Sequence, residues 1–301
     1  MKTQHFGEIS VQKVLDGIEN FPATIAFPEI NLDLFHQHRD WISPFYDFDS
    51  ETILISMHSY IIKTPKMTAV VDTCIGNDKY RIGDGPIYKA NKDVLSHWNL
   101  RNSSYLDNLI SAGVHPEEVD YVMCTHMHAD HVGWNTKLEN GKWVPTFPNA
   151  KYLFSPIELA AMQKQTGNPF DEYKGLVFED SVLPVIESGQ SVMMDNDLDL
   201  GRGINILPSP GHSSGHYCIE LQSKNSQGII TGDIFHNPIQ MNYPHWTTMF
   251  CDNKEQANET RIKLVDDLID SETIVLAAHF AGATAGKIIS DSNNKKFILL
   301  D

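Results

Sequence analysis

Apolar positions along the chain alternate between short β-rich runs and helical spacings, with no repeat and no low-complexity tract. Ile53–Ile62 and Thr68–Asp72 flank Lys63-Thr64-Pro65-Lys66, which predicts a hairpin. Ser103–Ala112 places Leu106, Leu109 and Ile110 on one side and is followed by Gly113, which predicts a short helix with a glycine just past its end. Val119–Cys124 is a strand-like run. Ser155-Pro156-Ile157-Glu158 has the pattern of a capping box with proline in the first helical position, so a helix starts there. Tyr217–Leu221 and Gly228–Thr231 read as paired strands across a polar turn. Asn253 caps a helix whose buried stripe is Ala257, the Arg261 stem, Leu264, Val265 and Leu268. Ile274–Ala278 and Lys296–Leu300 are the last strands. Strands and helices in both halves predict an α/β or layered α+β architecture, and no linker divides residues 1–301, so one compact domain of two similar halves is expected. Residues 20–50 stand apart, with seven aromatics among prolines and acids. They read either as a loop folded on the core or as a pocket-covering or dimerisation segment.

Composition narrows the class. Hydrophobic residues make up 41% and charged residues 21% of the 301, which is ordinary for a globular chain. The formal charge is −16, which works against binding nucleic acid or an anionic membrane surface, and no run of Lys and Arg offsets it. No apolar stretch is long enough to span a membrane. No apolar segment of a secretory signal follows Met1, and the four cysteines have no CxxC spacing. Free thiols in a cytoplasmic protein are the expectation.

The chemistry is concentrated in the 14 histidines. Thr125-His126-Met127-His128-Ala129-Asp130-His131 places three imidazoles and a carboxylate within six positions, directly after a strand. Packed so closely, these groups repel one another when protonated and cost desolvation when buried, and a divalent metal resolves both problems. One ion cannot use all four donors of so short a segment without strain, so two ions are implied, and they need further ligands. His212 and His216 lie in Pro210-Gly211-His212-Ser213-Ser214-Gly215-His216. Asp233 follows a strand in Thr231-Gly232-Asp233. His279 follows another in Ala277-Ala278-His279-Phe280. Ends of strands on one side of a sheet are where ligands collect.

HxHxDH, then PGHxxGH, then Gly-Asp after a strand, then a late strand-end His together resemble the metallo-β-lactamase superfamily, and Val71-Asp72-Thr73 also fits its pattern. The resemblance implies an α+β fold, the metallo-β-lactamase-like αββα four-layer sandwich, with a dinuclear site at one edge. It implies that His126, His128 and His212 hold one ion, that Asp130, His131 and His279 hold the other, and that Asp233 bridges them. Asp72 would orient a ligand imidazole from behind. The implied cofactors are two divalent ions per chain, zinc first, with manganese, iron or cobalt as alternatives.

Within the superfamily, Asp233 departs from the usual class B β-lactamase set, and the 22 residues after His279 are too few for the helical substrate domain of glyoxalase II. Gly232-Asp233-Ile234-Phe235-His236 places a histidine where quorum-quenching lactonases usually have Tyr, and looks more like the methyl parathion hydrolase group. The function implied is a dinuclear metal-dependent hydrolase using a bridging hydroxide on neutral esters, lactones or phosphotriesters. Asp130 and His236 are the candidate proton-handling residues, and Trp134, Trp246 and Phe280 are candidates to line a substrate pocket. His216 reads as structural. No serine or cysteine triad is present, and Gly-x-Ser-x-Gly is absent. The alternatives are β-lactam or thioester hydrolysis at the same site, or a metal-binding regulatory protein without turnover.

Overall fold

The computed structural model describes residues 1–82, 92–164, 174–194, 200 and 203–300. The chain forms two compact units. One is built from Met1–Gln12, Ile18–Met57 and Asp199–Asp301, the other from Lys13–Gly17 and His58–Leu198. We call them the outer-segment unit and the central unit.

In the central unit the expected hairpin is present. Tyr60–Lys63 pairs antiparallel with Thr68–Val71, and the Thr64 N–H closes the turn on the Met67 carbonyl at 2.9 Å. Beyond it the strands Thr68–Val71, Tyr121–Met123, Lys151–Phe154 and Ser191–Met193 lie side by side and parallel. The register aligns Val71 with Met123 and Met123 with Leu153, so three neighbouring strands end level. Their interiors are continuous apolar runs, as a parallel sheet requires. The helix Tyr105–Ser111 follows, with Gly113 at φ 75° beyond its end, and Pro156–Gln163 starts at the expected cap, where Ser155 Oγ accepts the Glu158 N–H.

The outer-segment unit holds a six-stranded sheet in the order Ile204–Pro208, Tyr217–Ser223, Ser226–Ile230, Ile274–Leu276, Ala285–Asp291, Asn294–Leu299. Its one parallel pair, Ser226–Ile230 beside Ile274–Leu276, sets Ile230 opposite Leu276. Antiparallel pairing sets Pro208 opposite Tyr217 at the same end. The helix Lys254–Leu268 is capped by Asn253 and buries Ala257, Arg261, Leu264, Val265 and Leu268, the stripe read from the sequence. Arg261 goes further than its stem. The whole side chain is buried, and the guanidinium donates to the carbonyls of Ile234 (2.8 Å) and Pro244. The aromatics of residues 20–50 pack on this unit's own core. Phe35 stacks on Tyr46 and Trp246, and Phe45 meets Phe280 and Phe297. Among the described residues no helix is long and apolar enough to cross a membrane.

Candidate metal centre

The level strand ends of the central unit deliver its donors. The first strand runs into Asp72, the second into Thr125–His131, and the third into Ser155–Glu158. Asp72 sits at φ 56°, in the left-handed region, which turns its carboxylate onto the neighbouring loop. Its Oδ1 accepts the Thr125 N–H at 2.8 Å, and its Oδ2 lies 3.0 Å from His131 Nδ1. His126 Nε2 faces His128 Nδ1 at 3.0 Å, and Asp130 Oδ2 lies 3.5 Å from His131 Nε2. His126 and His131 are buried. The carboxylate behind His131 Nδ1 selects the tautomer whose Nε2 carries a free lone pair. A pair of imidazole nitrogens facing each other at 3.0 Å can share only one proton, so this donor set suits a cation.

In the outer-segment unit the parallel strands ending at Ile230 and Leu276 lead straight to Asp233 and His279, and the turn after Pro208 carries His212. The Asp233 carboxylate is met by three imidazole Nε2 atoms: His212 at 3.2 Å, His279 at 3.1 Å and His236 at 3.2 Å. All four residues are buried. His212, Asp233 and His236 offer donor atoms within 4.8 Å of one another. A single carboxylate among three buried imidazoles fits a divalent ion by charge and by donor type. His236 therefore lies as close to Asp233 as the two histidines the motifs mark. Burial lowers the His236 pKa from its ordinary 6.5 against the raising effect of Asp233, so its ring is neutral near pH 7.

Residues 56–279 match the family described as the metallo-beta-lactamase superfamily. The chain belongs to it. The chain has the metallo-β-lactamase fold, an α+β architecture. It is 21% identical over 184 residues to an N-acyl homoserine lactonase of Bacillus sp, covering 60% of this chain and 64% of the relative. It is 28% identical over 109 residues to a hydroxyacylglutathione hydrolase of Prochlorococcus marinus, covering 36% of this chain and 32% of the relative. The matched regions thus span less than two thirds of these curated relatives' own length. Among solved structures it is similar to the hydrolase AbOPH (TM-score 0.79, 21% identity, 99% of this chain and 97% of that one). It is equally similar to AidC, a dizinc quorum-quenching lactonase (TM-score 0.79, 19% identity, 100% and 97%).

Around this superfamily's motifs lie supporting residues, of which the sequence reading marks only His216, as structural. Glu158 sits at the start of the helix that Ser155 caps. Its Oε2 accepts the Met127 N–H at 3.2 Å, so the start of one helix holds the middle of the His126–His131 loop. Gln240 Oε1 accepts the His236 N–H at 2.7 Å, while its amide donates to the Trp246 carbonyl at 2.8 Å. His279 Nδ1 faces the Ser56 carbonyl at 3.3 Å. His216 Nε2 accepts the Asp233 N–H at 3.0 Å and its Nδ1 lies 2.8 Å from Ser209 Oγ. Asn237-Pro238-Ile239-Gln240 carries a readable capping-box signal for the Gln240 position. The Glu158 and Ser56 contacts have none, because they depend on distant segments meeting. Trp134, Trp246 and Phe280 are all buried against aromatic neighbours of their own unit, Trp134 on Tyr105, Trp246 on Tyr243 and Phe35, Phe280 on Phe45 and Phe297.

Proposed function

We propose that the chain is a dinuclear metal-dependent hydrolase of neutral lactones, aryl esters or phosphotriesters. The observation that carries this reading is the Asp233 carboxylate set among three buried imidazoles, with a second His/Asp cluster, buried at His126 and His131, at the strand ends of the other unit. On the superfamily pattern, His126, His128 and His212 would hold one ion, Asp130, His131 and His279 would hold the other, and Asp233 would be available to both. Bound there, two divalent ions would supply an activated water at neutral pH and an electrophile for the developing oxyanion.

The chain's own residues do the rest. Asp72 fixes the His131 ring through Nδ1, and His216 fixes the Asp233 backbone through Nε2. Asp130 keeps a carboxylate oxygen beside His131 Nε2, able to accept a proton released at the site. His236, neutral and held by Gln240, can donate a hydrogen bond to a carbonyl or leaving-group oxygen from its ring. The 39 acidic side chains against 23 basic ones disfavour anionic substrates, which leaves neutral ones. The lactonase-named relatives support the lactone branch.

The test is turnover after reconstitution with zinc or manganese on a panel of lactones, aryl esters, neutral phosphotriesters, a chromogenic β-lactam and a thioester. Turnover of the first three, abolished by a chelator and restored by metal, is the expected result. Turnover of the β-lactam or thioester alone would replace this reading, and a chain holding two ions yet inert throughout would make it a binding protein.

A further inference from the structure

We propose that Cys251 is a positioning residue for metal binding: its sulfur takes the Nδ1 hydrogen of His212 and thereby leaves the Nε2 lone pair of that ring for the ion. This rests on the dinuclear reading above and deepens it. Cys251 Sγ lies 3.5 Å from His212 Nδ1, while the Nε2 of the same ring faces Asp233 Oδ2 at 3.2 Å. The ring is thus gripped from both sides, and both residues are buried. Thr248 Oγ1 lies 3.5 Å from Cys251 Sγ and can take the thiol hydrogen, which turns a sulfur lone pair towards His212.

The backbone fixes this arrangement. The Asp252 N–H donates to the His212 carbonyl at 2.9 Å and the Asn253 N–H to the Gly211 carbonyl at 3.0 Å. Asn253 also caps the helix Lys254–Leu268, so the segment with Cys251 is tied at once to the helix start and to the histidine turn. Gly211, at φ 131°, brings that turn so close that a Cβ there would collide with the Ala257 backbone. Behind a metal-bound imidazole the usual partner is a carboxylate, carbonyl or water, as Asp72 is behind His131. At His212 the weaker acceptor sulfur stands in that place, which makes this ring the less basic of the two.

The experiment is a zinc titration of the full chain against a chromophoric chelator, repeated with cobalt for its absorption spectrum, on the wild type, Cys251→Ala and Cys251→Ser. The wild type should bind two ions. Cys251→Ala should lose roughly tenfold or more in affinity for one of them and shift the cobalt bands, while Cys251→Ser, which keeps an acceptor, should stay within roughly threefold. An alanine variant that titrates like the wild type, or a serine variant as impaired as alanine, overturns the proposal and leaves the dinuclear reading standing. A wild type that binds no metal overturns both. Nitrogen NMR of zinc-loaded wild type is the check that needs no variant. A protonated His212 Nδ1 is expected, and a protonated Nε2 refutes the assignment.

Discussion

His236 is the residue at which two chemical roles compete. Its Nε2 lies as near the Asp233 carboxylate as those of His212 and His279, so it has the placement of a ligand. Its backbone N–H is held by Gln240 and its ring is kept neutral by burial, which suits a hydrogen-bond donor to substrate. The two roles separate in one variant. His236→Phe keeps the ring volume and the stacking on Phe250 and removes both nitrogens. If the residue serves substrate, turnover falls by roughly 10²–10⁴-fold while elemental analysis still finds two ions per chain. Metal content falling to one ion would make His236 a ligand, and wild-type turnover would remove it from the chemistry.

The elements that present the site are held by backbone more than by side chains, and the clearest instance is where two loops of the central unit zip together. The Thr73 N–H donates to the His131 carbonyl (2.8 Å), the Gly133 N–H to Cys74 (2.8 Å), and the Trp134 N–H to Thr73 (2.7 Å). The approach is possible because Gly133 has no Cβ, for one would collide with the Ile75 carbonyl. Gly133→Ala must pry the loops apart and carry His131 away from Asp72. A loss of about 2–4 kcal/mol in urea unfolding is expected, with weaker zinc binding alongside. A wild-type midpoint would show that the zipped loops do not matter. This contrast explains what the sequence disclosed. His126, His128, Asp130 and His131 are legible because their spacing is local and follows an apolar strand, and the hairpin at Lys63–Lys66 is legible for the same reason. The stripe of the helix after Asn253 is legible because burial follows the helical period. Glu158 and Cys251 are not, since one reaches a backbone N–H 31 residues away and the other a ring 39 residues away. The long strand Ile9–Pro22 and the strand Ala285–Asp291 also went unread, and the latter gains its place only by pairing with Ile274–Leu276 and Asn294–Leu299.

Stability of the whole molecule against pH follows from buried groups other than the motif histidines and aspartates. Lys79 is fully buried, with its Nζ 2.8 Å from Thr136 Oγ1, 3.5 Å from Asp180 Oδ1 and 3.8 Å from the centre of the Trp143 ring. Arg81, buried beside it, makes two hydrogen bonds to the Asp180 carboxylate at 2.7 and 3.0 Å, so Lys79 has only a share of one negative charge. Burial outweighs that share and lowers the Lys79 pKa from 10.5 to about 7, and burial lowers that of Lys13 to about 8. Above these values the folded chain has released protons that the unfolded chain still holds, so the folding equilibrium shifts towards the native state as pH rises from about 7 towards 10.5. The buried thiols act in the opposite direction, because burial raises their pKa, but they contribute only as pH approaches their unfolded value of 9. The carboxylates Asp40, Asp47, Asp270 and Glu272, whose pKa values are lowered by hydrogen bonds, are ionised in both states throughout this range and add no slope. Between pH 7 and 8.5, therefore, unfolding by denaturant should become harder. Lys79 accounts for about 1–2 kcal/mol of the gain, at 1.36 kcal/mol per fully linked pH unit. Lys79→Met fills similar space without a titrating group, so its stability over the same interval should rise less by that amount, whatever its stability at pH 7. Parallel pH profiles for the two proteins would mean that Lys79 keeps its proton in the folded chain, with Asp180 satisfying both cations.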